Sequence, residues 1–149
     1  MSQTNFQSKE AAVQSRRWKL IDAKGLPVGR VASTIASIVR GKTKANFTPH
    51  VAGGDYVIVV NADKVVFTGN KAVQKVYRDH SGYFGGVRER TAEKLLQERP
   101  AEVLRRAVWG MLPKGPLGRD MLTQVKIYKG SAHPHKAQAP EAVTVKAGK

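Results

Sequence analysis

The chain has 149 residues, which fits one ordinary domain with a sizeable core, and 41% of the residues are hydrophobic. Its 26 Lys and Arg residues outnumber 11 Asp and Glu residues and give a formal net charge of +15, whereas solubility requires only about 2 to 8 charges. Cysteine is absent, which excludes disulfides and thiolate metal sites, and no apolar run is long enough to span a membrane.

The N-terminal segment, residues 1–15, is polar, has no clear period and lacks the apolar stretch of a secretory signal. We predict a flexible arm there and a single folded domain over residues 16–130. Residues 131–149 are polar and contain prolines, which predicts an extended basic tail.

The folded part opens with a strand and a helix. Trp18–Asp22 has strand character and is followed by a turn at Gly25. Pro27 suits a first helical turn, and apolar residues recur at helical spacing over residues 28–39 until Gly41 closes the helix. This order predicts the beginning of a βαβ unit.

The strongest strand signal lies at residues 56–61, which are apolar at nearly every position, as in a strand covered on both faces. Residues 65–68 form a second apolar run, for which we predict a further short strand. Residues 71–90 have no steady period and include three glycines, which predicts a long loop.

Two helices and a strand complete the domain. Residues 92–98 predict a short helix, and Pro100 opens a second helix with a clear apolar stripe. Residues 112–118 contain two prolines and two glycines and predict a loop, before one helical turn at 119–122 and a final strand at 125–128. The whole order predicts an α/β fold with a small, largely parallel sheet flanked by helices.

Positive charge is concentrated in the predicted loops and at the ends of elements. Arg40, Lys42 and Lys44 follow one another at the end of the first helix, where the helix dipole by itself also favours cations. Beyond Gly110, cations recur on segments rich in glycine and proline, where they contribute little to stability. A bound nucleic acid would relieve the repulsion among these charges and release counterions, so we predict that the domain over residues 16–130 binds RNA.

Aromatic residues lie among the cations of the 71–90 segment. Tyr83 and Phe84 either stack on splayed bases or cover the edge of the sheet, and the pattern leaves both interpretations open. Gly85 and Gly86 allow the backbone to approach a sugar–phosphate chain closely.

Little in the sequence indicates catalysis. Neither the GxxxxGK[ST] phosphate-binding pattern nor GxGxxG after the first strand is present. Asp79, His80 and Ser81 are adjacent, but the groups of a catalytic triad must converge in space. His133 and His135 lack the further ligands that a metal ion requires. We therefore predict no enzymatic activity, cofactor, metal or small-molecule substrate.

Several motifs in the same order resemble one family. Residues 108–119 read VWGMLPKGPLGR, and residues 125–130 read VKIYKG at the expected distance. Further similar segments lie at residues 18–22, 29–30, 48–50, 54–57, 61–64, 68–71, 80–86 and 133–138. Over residues 17–140 the chain resembles the bacterial-type ribosomal protein L13 family of the large subunit.

This resemblance implies a three-layer α/β fold, a place in the large subunit of a cytoplasmic ribosome, and a role in early subunit assembly. The implied partners are large-subunit ribosomal RNA and neighbouring ribosomal proteins. An organelle ribosome fits the same pattern, and a free regulator that binds messenger RNA is the alternative function. Two features depart from the family: the N-terminal arm is longer, and Trp109 replaces a basic or small aliphatic residue, which predicts one cationic contact fewer.

The matched motifs and the charge clusters together supply the candidate RNA-binding residues. They are Arg40, Lys42, Lys44, His50, Lys71, Lys75, Arg78, His80, Arg88, Lys114, Gly115, Gly118, Arg119, Lys129, His133, His135 and Lys136.

Overall fold

The structure, a computed structural model, describes residues 6–145. The helices in this range are α1 (Lys9–Gln14), α2 (Val28–Arg40), α3 (Lys71–Gln74), α4 (Ala92–Glu98), α5 (Pro100–Met111) and α6 (Pro116–Thr123). The strands are β1 (Trp18–Asp22), β2 (Tyr56–Val60), β3 (Val76–His80), β4 (Val87–Thr91), β5 (Val125–Ile127) and β6 (Glu141–Ala142). None of the described helices has the length and apolarity needed to cross a membrane.

A four-stranded parallel sheet lies at the centre of the fold. Its strand order is β5-β2-β1-β6, and every neighbouring pair is parallel. β3 and β4 form a separate antiparallel hairpin. The prediction of an α/β fold with a small, largely parallel sheet flanked by helices is confirmed.

Helix α2 supplies much of the core on one face of the sheet. Its apolar stripe is buried against the sheet residues Ile21, Val57 and Val59, and α5 packs beside it. Gly41 ends α2 in the left-handed conformation, with φ of 85°, which glycine adopts at little cost. The predicted helix and its end are therefore confirmed.

The opposite face of the sheet is covered by the tail. Side chains alternate between the faces of a strand, so Trp18 and Tyr56 lie on this second face, where their rings stack with centroids 4.5 Å apart. His135 from the tail stacks on Trp18 at 5.0 Å, and its Nε2 lies 2.7 Å from the Tyr128 hydroxyl. Beyond it, the tail adds the edge strand β6 beside β1.

Two secondary-structure predictions in the middle of the chain, for residues 65–68 and 71–90, are wrong. Residues 65–68 are not a strand, because Val66 forms one isolated bridge, with Pro27, and no ladder of paired residues extends from it. Residues 71–90 are not one long loop but contain α3 and the β3–β4 hairpin. The hairpin strands are mostly exposed, so their sequence lacks the apolar alternation of a half-buried strand.

Two further segments are more ordered than the sequence indicated. Helix α6 begins at Pro116, inside the predicted 112–118 loop, because proline is compatible with the first helical position. In the predicted arm, Lys9–Gln14 forms α1, whose Ser8 side chain accepts the Ala11 backbone N–H at 3.2 Å. Residues 1–5 and 146–149 of the predicted arm and tail lie outside the described residues.

Candidate nucleic-acid interface

The β3–β4 hairpin is held to the body of the domain by one charged cluster. Arg106 of α5 donates from Nη2 to both carboxylate oxygens of Asp79, at 2.7 and 2.8 Å, and from Nε to Glu102 at 2.9 Å. Hydrogen bonding to Arg106 lowers the pKa of Asp79. Arg106 and Lys75 both lie over the Tyr77 ring, and burial raises the pKa of that phenol. The hairpin therefore projects from a fixed base.

A groove of about 660 Å³ lies between this base and the start of α2. Arg30, Lys71 and Lys75 line it together with apolar side chains, including Val66 and Met111. The sequence placed Lys71 and Lys75 in a loop, whereas the structure brings them together with Arg30 from a distant segment. Cations around an apolar floor suit both the phosphates and the bases of a nucleic acid.

The end of α2 continues this basic surface. Arg40 lies over the Phe47 ring with its guanidinium carbon 6.0 Å from the centroid. Arg40 and Lys42 line a small pocket of about 180 Å³ that shares Met111 with the larger groove. Arg40 and Lys42, two of the predicted RNA-binding residues, therefore lie beside the groove that Arg30 lines.

A second basic groove lies where α6 meets α5 and β5. Arg105, Arg119 and Lys126 line its volume of about 420 Å³ together with Tyr128. Arg119 was a candidate from the sequence, whereas Arg30, Arg105 and Lys126 were not among the chosen residues. The sequence shows all three as cations within predicted helices and strands, but only the packing brings Arg105 and Lys126 next to Arg119 and Arg30 next to Lys71 and Lys75.

Lys114 is held in place by Trp109. Its ammonium lies 4.6 Å from the centroid of the Trp109 ring and donates a hydrogen bond to the Trp109 carbonyl. A cation is attracted to the face of an indole. Trp109 replaces the basic or small aliphatic residue expected at this position, but it also holds the neighbouring cation of Lys114 in place. Trp109 also lies beside Arg105 and Arg119, so Lys114 extends the second basic groove.

Lys44 is engaged inside the protein. Its Nζ lies 2.7 Å from Oδ1 of Asp55 and donates to the Ser15 carbonyl at 3.0 Å, and its side chain is 18% exposed. Asp55 is buried and also accepts the Arg17 backbone N–H at 2.9 Å. These contacts indicate a structural role for Lys44, whose charge is satisfied without RNA.

Replacing Lys44 with Met is expected to lower the free energy of unfolding by about 2 kcal/mol, because the buried Asp55 carboxylate loses its partner. Lys42→Met removes an exposed neighbouring charge and should change the stability by less than about 0.5 kcal/mol. Urea unfolding of both variants measures the difference. Equal stability of the two variants would contradict the structural role of Lys44.

The two candidate glycines occupy different environments. Gly115 precedes α6 in extended backbone, and nothing lies within 4 Å of the position that a Cβ would take. Gly118 is buried in α6, and a Cβ there would lie 1.9 Å from the Pro113 carbonyl oxygen. The geometry therefore assigns Gly118 to packing and leaves Gly115 free to approach a ligand.

The remaining candidates on the hairpin are exposed, and two of them already have partners. Arg78 donates to Glu89 across the hairpin at 2.7 Å. His80 accepts the Gly82 backbone N–H on Nδ1 at 2.9 Å. Arg88 has no ion pair with any residue that the structure describes.

The candidates outside the grooves and the hairpin differ in exposure. Lys129 and Lys136 are exposed at the start and in the middle of the tail, whereas His133 is half-buried. His135 anchors the tail against Trp18, which gives it a structural role. The exposed His50 ring meets the edge of Phe6 at 5.7 Å.

The described residues thus form a basic α/β protein whose charged surfaces suit a large polyanion. Between residues 6 and 145, no group of three or more His, Cys, Asp or Glu side chains is arranged to hold a metal ion. The two basic grooves, of about 660 and 420 Å³, are open, and cations line both of them without any Asp or Glu side chain.

Comparison with known proteins agrees with this class. The model of the ribosomal protein L13 family matches residues 16–134. The large ribosomal subunit protein uL13 of Rhizobium etli (strain CIAT 652) is 55% identical over 143 residues, 95% of this chain and 92% of the relative. The protein of the same name from Treponema denticola is 55% identical over 130 residues, 87% and 92% of the two chains. That of Desulfitobacterium hafniense (strain Y51) is 52% identical over 142 residues, 95% and 99%.

The chain belongs to the ribosomal protein L13 family. The resemblance seen in the sequence is confirmed. Since this is a family of structural proteins of the large ribosomal subunit, the prediction that the chain is not an enzyme is confirmed as well.

Proposed function

We propose that this protein is a structural constituent of the large ribosomal subunit that binds large-subunit ribosomal RNA and supports early subunit assembly in the cytoplasm. The observation that carries the proposal is the placement of its charge. Arg30, Lys71 and Lys75 line one open groove, and Arg105, Arg119 and Lys126 line another. Within residues 6–145, none of these six cations forms an ion pair.

The proposed mechanism is electrostatic fixation of RNA segments. The core holds α2, α3, α5 and α6 at fixed separations, so the backbone that carries these cations need not be ordered when the RNA binds. RNA helices are recognised mainly through their shape and backbone, which suits a rigid body with charge on several sides. Bringing RNA segments together in this way supports assembly, and neighbouring ribosomal proteins then pack against the same junction.

The test is the salt dependence of binding to protein-free large-subunit RNA. Neutralising about six phosphates should make the logarithm of affinity fall with the logarithm of salt concentration with a slope of roughly −4 to −5. Filter binding across a range of salt concentrations measures this slope. An affinity that does not change with salt would overturn the proposal.

Sedimentation of a cell lysate in magnesium distinguishes this role from that of a free regulator of messenger RNA. A resident protein should co-sediment with the large subunit in a one-to-one ratio and survive a moderate salt wash. A regulator would remain mostly near the top of the gradient.

A further inference from the structure

The tip of the β3–β4 hairpin has a preorganised backbone. The Ser81 N–H donates to the Gly86 carbonyl at 3.2 Å, and the Gly86 N–H donates to the Tyr83 carbonyl at 2.9 Å. Gly82 and Gly85 have φ of 89° and 71°, a region that other residues rarely adopt. A Cβ on Gly86 would lie 2.1 Å from the Ser81 hydroxyl. The loop is thus closed by its own contacts.

This closed loop presents two aromatic rings to solvent. Tyr83 is 80% exposed and Phe84 is fully exposed. The rings therefore do not cover the edge of the sheet, which was one of the two interpretations of the sequence. Neither ring contributes to the hydrophobic core. Phe84, the most exposed aromatic side chain of the described residues, lies at the end of a fixed projection.

The charge around the tip indicates what these rings meet. Both acids of the hairpin strands are already paired, Asp79 with Arg106 and Glu89 with Arg78. Arg88 and His80 lie on the strands next to the tip and add cationic or hydrogen-bonding groups. A partner that offers flat apolar rings beside negative charge complements this surface, and unpaired nucleotides have both features.

We propose that Tyr83 and Phe84 form a stacking wedge that binds unpaired bases of the RNA, while Arg88 contacts the adjoining phosphates. This inference rests on the proposed function, since it names the part of the RNA that this hairpin recognises. Arg106 and Asp79 fix the hairpin to α5, so stacking would also orient the body of the protein relative to the unpaired segment.

The test compares the full-length chain with the double variant Tyr83→Ala and Phe84→Ala on protein-free large-subunit RNA. Loss of two aromatic–base contacts should weaken binding by roughly 30-fold or more. The salt slope should not change, because aromatic contacts release no counterions. Arg88→Gln should instead reduce the steepness of the slope by about one unit. The thermal unfolding midpoint of the double variant should match that of the parent, since both rings are exposed.

Single substitutions at Phe84 distinguish stacking from general apolar contact. Phe84→Trp should preserve the affinity, whereas Phe84→Leu should weaken it by about 5-fold or more, because leucine retains apolar area but has no aromatic face. Equal binding by Phe84→Leu and the parent would overturn the stacking wedge.

Two other outcomes are equally informative. If the parent binds RNA and the double alanine variant binds equally well, the inference fails while the proposed function stands. If that variant binds free RNA normally but is missing from intact subunits, the two rings contact a protein partner instead. If the parent itself does not bind RNA, the proposed function fails first.

Discussion

Reversing the charge of Lys114 and Arg119 together is expected to weaken binding to protein-free large-subunit RNA by roughly 100-fold at about 0.1 M salt. Each phosphate contact contributes roughly 8-fold at that salt concentration relative to 1 M, and reversal adds repulsion to the loss of two contacts. Both side chains are exposed, so Lys114→Glu with Arg119→Glu should leave the fold intact. Filter binding together with circular dichroism measures both effects.

The matched control reverses two exposed lysines outside the candidate set, Lys24 and Lys94. This control has the same net charge as the test variant, so it separates a local contact from the general attraction between protein and RNA. We expect a loss of less than about 5-fold for the control and a shallower salt slope only for the test variant. Equal losses would show that Lys114 and Arg119 contribute only through net charge.

The first half of the sheet could be predicted because its residues are buried in regular patterns. β2 is covered on both faces, so its sequence is apolar throughout, and α2 has one buried stripe that ends at a left-handed glycine. In such elements the local sequence and the tertiary environment favour the same structure. The bounds of β1, Trp18–Asp22, were predicted to the residue.

The hairpin and the edge strand could not be predicted in the same way. β3 and β4 are stabilised by their pairing and by the cluster of Arg106 and Asp79, which are distant in sequence. β6 has only two residues. The stacking of His135 on Trp18 places the tail against the sheet, and the residues that follow can then pair with β1. Strand propensity depends strongly on such tertiary context.

The candidate site was predicted as a set of segments better than as individual residues. Composition located the basic segments, yet it did not distinguish an exposed lysine from Lys44, whose partner Asp55 lies beyond the next turn. The list of candidate residues also left out Arg105 and Lys126, which converge on Arg119 only through the packing of α5, α6 and β5. Whether a cation is available depends on its ion pairs, and some of those form between distant parts of the chain, as Arg106 does with Asp79.

Gly118→Ala is expected to lower the free energy of unfolding by about 2 kcal/mol or more. In a helix, alanine is intrinsically better than glycine by about 1 kcal/mol. At this site, however, the new methyl group would lie 1.9 Å from the Pro113 carbonyl oxygen. The backbone of the 113–118 turn must therefore move by more than about an ångström, and overpacking of this kind costs about 3 kcal/mol or more. Urea unfolding monitored by circular dichroism measures the difference.

Gly115→Ala is the matched control, because Gly115 has extended backbone and open space around its Cβ position. Its stability should change by less than about 0.5 kcal/mol. RNA binding then separates two roles of glycine in the same motif. If Gly118 serves packing, the folded fraction of its alanine variant retains most of its affinity, whereas an RNA contact at Gly118 would reduce affinity without loss of stability. A stable Gly118→Ala protein with weakened RNA binding would restore the original interpretation of this residue.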